Sequence, residues 1–240
     1  MWIVRLALHR PYMMGTASKQ ARGLAREISV NKLSVRNVEV FRAKGVSINI
    51  TDPGMRGIIG ENFLDHFDLL IDNEHRRLLF DEGDILDSSF EGEHLAMSQT
   101  SILDGDVINH RPVVYMTLPS YSSSSLRMLL DTGTNGLTLF PAAGRQRSVA
   151  STGTLMANVV GSGLSCETWS TKVLWGKLTL RDVQAASCKG ASADKFDVEG
   201  NMPTYFFKRI LISHAHSYVV ANPERRSIGT SVTAAVRPQN

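Results

Sequence analysis

The chain repeats itself once, and the repeat constrains the fold more than any composition does, because two copies of one supersecondary pattern must pack against each other. Lys32–Val38 (KLSVRNV) reappears as Lys177–Val183 (KLTLRDV) at an offset of 145. Gly57–Leu64 (GIIGENFL) corresponds to Gly200–Phe207 (GNMPTYFF) at 143, and Ile71–Asp81 to Ile212–Asn222 at 141. Three blocks in one order, with a drift of a few residues, define two related units.

Strand-like patterning fills both units. Val114, Met116 and Leu118 alternate with Val113, Tyr115 and Thr117, Pro119–Ser125 reads as a loop, and Leu126–Leu130 and Leu137–Phe140 read as strands. Leu33, Val35, Val38 and Val40 suggest a short hairpin around Arg36-Asn37, repeated by Leu178, Leu180 and Val183. Glu61–Phe67 and Pro203–Arg209 are the helical turns expected after the two glycine-led blocks. The fold class is therefore all-β. The expected division is a partial unit at 1–86, an acidic linker at 87–106, a complete unit at 107–223 and a mobile tail at 224–240.

Composition narrows the function classes. The chain has 240 residues, 42% of them hydrophobic and 20% charged, which is enough apolar material for an ordered core. A formal charge of +3 with scattered Lys and Arg implies neither nucleic acid nor anionic membrane as partner. No apolar run approaches the ~20 residues that cross a bilayer. Residues 1–11 are broken by Arg5 and Arg10 and do not read as a signal peptide, so localisation stays open. Cys166 and Cys188 flank an expected hairpin, as a cross-strand disulfide or, the blander reading, as two buried thiols. His214 and His216 lack a third nearby ligand and read as solvated surface residues, so no metal is expected.

The chemistry-bearing segment is Arg127–Gly136 (RMLLDTGTNG), an apolar strand running into Asp131-Thr132-Gly133. Only the second unit carries it. The repeat offsets place the counterpart of Asp131 before Met1, so the first unit is expected to lack its own Asp, through an upstream start or a shortened unit. Asp52-Pro53-Gly54 is a poor substitute, because Pro53 lacks a hydroxyl and disturbs the turn. Asp104-Gly105-Asp106 reads as solvated loop.

Together, Leu129–Gly133, Gly57–Leu64 with Phe67–Asp72, and Gly200–Phe207 resemble the retropepsin-like aspartic peptidases, particularly bacterial proteins with two such units. The resemblance covers most of residues 28–223. It implies a retropepsin-like acid-protease barrel, with one complete unit plus the second half of a related one. It also implies endopeptidase activity on extended polypeptide through two carboxylates and a water, without metal or organic cofactor. Asp131 would supply one carboxylate, Thr132 would brace the turn, and Gly133 would admit the partner carboxylate. Gly161, Ser162 and Gly163 fall where a substrate-covering flap would lie, an ordinary surface hairpin being the alternative. The second carboxylate would come from a homodimer mate or from residues upstream. The competing function is a catalytically degenerate fold acting as a peptide-binding or dimerisation module.

Overall fold

A computed structural model describes residues 5–9, 12–13, 16–17, 20–30, 33–42, 59–104, 107–134, 136–140, 151–159, 162–188 and 198–226. The first unit comprises β1 (Arg5–His9), β2 (Tyr12–Met13), β3 (Thr16–Ala17), β4 (Gln20–Val30), β5 (Leu33–Arg42), helix α1 (Glu61–Leu64), β6 (Asp68–Asp72) and β7 (Arg77–Asp81). Helix α2 (Ile85–Ser89), β8 (Phe90–Glu91) and β9 (Leu95–Asp104) follow. The second unit comprises β10 (Val107–Met116), β11 (Leu126–Asp131), β12 (Leu137–Leu139), β13 (Gly153–Val159), β14 (Ser162–Trp175), β15 (Leu178–Cys188) and β16 (Gly200–Pro203). A 3-10 turn (Thr204–Phe206), β17 (Arg209–Ser213), β18 (Tyr218–Ala221) and β19 (Glu224–Arg225) complete it. The chain is predominantly β, as its patterning predicts.

Pairing in the second unit runs β10–β11–β16–β12–β15–β14. Thr117, just past β10, and Leu174 in β14 exchange two backbone hydrogen bonds of 2.9 Å, which closes these six strands into a ring. Closure leaves fewer open edges and gives one enclosed interior, filled by Val114, Met116, Met128, Leu137, Leu139, Trp175 and Met202, all at most 2% exposed. β16 lies between β11 and β12, parallel to the first and antiparallel to the second. Such an insertion requires close backbone approach. A Cβ on Gly200 would stand 2.2 Å from the Thr138 carbonyl oxygen, so only glycine fits there.

A second layer extends from the ring in the order β9–β18–β17–β6–β7. Alternation along these strands separates two faces. Leu69, Ile210, Ile212 and Val219 join the main core with residues of the ring, whereas Leu70, Leu211, Tyr218 and Val220 pack beneath Leu86 of α2 and Phe90 of β8. Residues 87–106, expected as a linker, thus carry β8 and β9, and β9 bonds to both β10 and β18. Leu86, Phe90, Leu95 and Met97, interleaved with acidic residues, supply the apolar anchors that a count of charges conceals. Glu224–Arg225, at the start of the expected tail, pairs with β8, and residues beyond 226 lie outside the described ones.

β6 and β17 join the units. Leu70 lies opposite Leu211, and residues 141 apart fall symmetrically about that pair, Leu69 opposite Ile212 and Ile71 opposite Ile210. Backbone conformation shows the same spacing: Asn37 and Asp182 have φ of 57° and 55°, and Arg76 and Ser217 have φ of 54° and 56°.

The expected hairpin around Arg36-Asn37 is instead one continuous strand, β5, and its equivalent is β15. Val35 and Val38 are both 4% exposed although three residues apart, because the left-handed Asn37 resets which face the following side chains take. Cys166 and Cys188 stand directly opposite on β14 and β15, with Cα atoms 4.0 Å apart, and form a disulfide. The thiol reading fails because register, which composition does not reveal, sets the two side by side. No helix among the described residues is long and apolar enough to cross a membrane.

Candidate functional site around Asp131

β11 delivers Asp131 to the end of a buried strand. Leu126, Met128, Leu129 and Leu130 are buried between β10 and β16, and the chain then turns outward at Asp131, which is half-buried, while Thr132 and Gly133 are exposed. The carboxylate is held at both oxygens. Gly133 N–H donates to Oδ1 at 2.7 Å, the local turn bond typical of Asp, and Asn201 Nδ2 donates to Oδ2 at 3.0 Å. Asn201 is 5% exposed, and its own Oδ1 is buried without a hydrogen-bond partner among the described residues.

A charged group lies behind this turn. β10, whose Val113 pairs with Leu129 of β11, also carries the half-buried Arg111, near enough for its charge to interact with that of Asp131. Burial pulls the Arg111 guanidinium below its ordinary value, while the charges of Asp131 and Glu61 favour its cationic form. Arginine remains protonated under such shifts. Glu61 opens α1 of the first unit, and its Oε1 lies 2.7 Å from His214 Nε2. His214 Nδ1 lies 2.7 Å from the Phe67 carbonyl oxygen, which can only accept. Nδ1 therefore donates, and an ionised Glu61 accepts from Nε2, which favours the imidazolium form of His214. Burial opposes that charge, but the Glu61 hydrogen bond and charge and the Phe67 carbonyl hold its pKa above the ordinary histidine value. Carboxylate, guanidinium, carboxylate and imidazolium alternate along this group, so each charge lies beside an opposite one.

This overturns the expectation of two solvated histidines. The His214 side chain is 4% exposed and belongs to the group behind the turn, whereas His216 is half-exposed and contacts Ser213. Sequence reading also missed Arg111, Asn201 and Glu61. Asn201 was detectable, since its repeat counterpart is the apolar Ile58. The Glu61–His214 pair, 153 residues apart, leaves no local trace.

Of the other candidates, Gly161 lies outside the described residues, as do Asp52 and Pro53. Ser162 opposes Val159 and Gly163 opposes Asn158 at the last described pairs of β13 with β14. Asp104 ends β9 instead of lying in a loop. A groove of about 640 Å³ begins at Gly136, at the end of the Asp131 turn, and runs between Thr179–Gln184 of β15 and Tyr205–Phe206. Asp131 does not line it. Asp72, Glu74 and His75 cluster with ligand atoms within 4.8 Å, but Arg209 lies 3.3 Å from both carboxylates and offsets part of their charge. A scan against models of protein families finds no match, and a search of curated proteins finds no relative.

Proposed function

We propose that the chain is a retropepsin-like aspartic endopeptidase in which Asp131 supplies one carboxylate of the catalytic pair. The observation that carries this reading is the setting of Asp131, a carboxylate fixed at both oxygens at the mouth of a closed strand ring and bordered by the exposed Thr132-Gly133. Two related units fit the left-handed residues recurring at offsets of 145 and 141 and the symmetric pairing about Leu70 and Leu211.

In this mechanism two carboxylates about 3 Å apart cannot both ionise, so they share a proton and hold a water between them. One takes a proton as the water oxygen attacks the peptide carbonyl, and the other protonates the carbonyl oxygen. The tetrahedral intermediate collapses when the amine nitrogen takes a proton and leaves. No cofactor enters these steps.

The mate carboxylate comes from outside the groups that hold Asp131. Among the described residues, the groups that hydrogen-bond to the Asp131 carboxylate are an amide and a backbone N–H, neither of them a carboxylate. A second chain pairing symmetrically through β17 would need the edge that β6 occupies. A mate carboxylate would therefore approach from the exposed side, over Thr132 and Gly133. The same observations favour the second reading, a peptide-binding module of this fold without turnover. An unfolded polypeptide substrate separates the two: the wild-type chain cleaves it, a statine-containing peptide blocks cleavage, and Asp131→Asn abolishes it. Binding of the statine peptide without turnover by the wild type would establish the module instead.

A further inference from the structure

We infer that Asn201 is the positioning residue for Asp131, and that its orientation assigns Asp131 the role of the base that receives the water proton. The inference rests on the peptidase reading and adds to it the division of labour within the pair.

Asn201 has one donor nitrogen and one acceptor oxygen. Its nitrogen faces Asp131 Oδ2 at 3.0 Å, while Gly133 N–H takes Oδ1 at 2.7 Å and the Arg111 charge lies behind. A carboxylate ringed by donors is held as an acceptor. Both of its oxygens are thereby engaged as acceptors, the arrangement required of the member of the pair that receives the water proton. The remaining atom, Asn201 Oδ1, is a buried acceptor without a partner among the described residues, on a side chain 5% exposed. An acceptor beside an anion repels a second anion and welcomes a hydrogen donor. With Asp131 as the base, the proton shared by the pair starts on the mate, which is then the acid.

Repeat position supports this assignment. The Asn201 counterpart at the repeat offset is Ile58, so the amide stands in the same unit as Asp131 and not at the corresponding position of the other. β16 fixes it by pairing Asn201 with Leu129, two residues before Asp131, and Gly200 allows the close approach.

The proton balance is complete. A water O–H bond breaks and its proton passes to Asp131 as the oxygen bonds to the carbonyl carbon. The C=O π pair moves to oxygen, which takes the proton of the mate. Asp131 then returns its proton to the amine nitrogen as the C–N bond breaks, and the product acid hydroxyl reprotonates the mate.

Asn201→Ile, which installs the counterpart residue, and Asn201→Asp, which keeps the shape but loses the NH2 donor, test the role. With an internally quenched peptide substrate, both should lower kcat at least tenfold and leave KM within about twofold. In 1H–15N NMR of the whole chain, the Asn201 side-chain NH2 pair should shift when Asp131→Asn is introduced. Wild-type kcat in Asn201→Ile, while Asp131→Asn is inactive, overturns the inference, as does an NH2 pair indifferent to Asp131→Asn. An NH2 pair that responds in a chain with no turnover overturns the peptidase reading and the base role, while the positioning of Asp131 stands.

Discussion

At the residue scale, single positions matter through the partners they leave behind. Gly200→Val should be among the most damaging changes, because its Cβ meets the Thr138 carbonyl at 2.2 Å and the Met128 Cε at 2.7 Å. Backbone on one side cannot yield, so a loss of about 3 kcal/mol or more is expected, at the upper end of overpacking costs, checked by urea denaturation. His214 makes stability depend on pH with a definite sign. Its folded pKa is raised by the Glu61 pair, so its contribution is fully present below the unfolded value of about 6.5 and is lost as pH rises through the folded one. The urea midpoint of the wild type should therefore fall on the alkaline side of about pH 6.5, and His214→Gln should flatten that limb. Equal slopes in the two proteins would show that another group is responsible.

At the scale of elements, strands are fastened where their own sequence is weakest. The Cys166–Cys188 bond ties β14 to β15 beside the hairpin bearing Ser162 and Gly163. The crosslinked residues are 22 apart in sequence, so the double Cys→Ser variant should lose about 3 kcal/mol by the chain-entropy estimate. An unchanged thermal midpoint would show that the strand pairs suffice alone. α2 makes the same point for the outer layer. Leu86 is 5% exposed and covers Leu70 and Leu211, so Leu86→Ala should cost about 2–4 kcal/mol, although the segment reads as acidic and loop-like.

For the whole molecule, one hydrophobic cluster contains Val35, Phe63 and Leu69 of the first unit together with Val114, Met128 and Ile212 of the second. The two halves of the chain share this core and the β6–β17 junction, so they should unfold in one cooperative step. Leu211→Asp places a charge at the centre of the junction and should lower the thermal midpoint for the chain as a whole. Two separate calorimetric transitions, with only one moved by Leu211→Asp, would contradict this.

Sequence alone determined what depends on neighbours and periodicity: the β class from alternation, and the exposed turn after Asp131 from an apolar strand meeting Asp-Thr-Gly. Tertiary structure decided what depends on register and long-range closure. Asn37 looked like a hairpin turn because a left-handed residue shifts strand phase just as a turn shifts the apolar pattern. The disulfide and the Asn201–Asp131 and Glu61–His214 contacts join residues 22, 70 and 153 apart, separations that carry no local signal. Such contacts exist only once the ring has closed and β6 has met β17, since burial and opposing charge then act between side chains that the unfolded chain keeps apart.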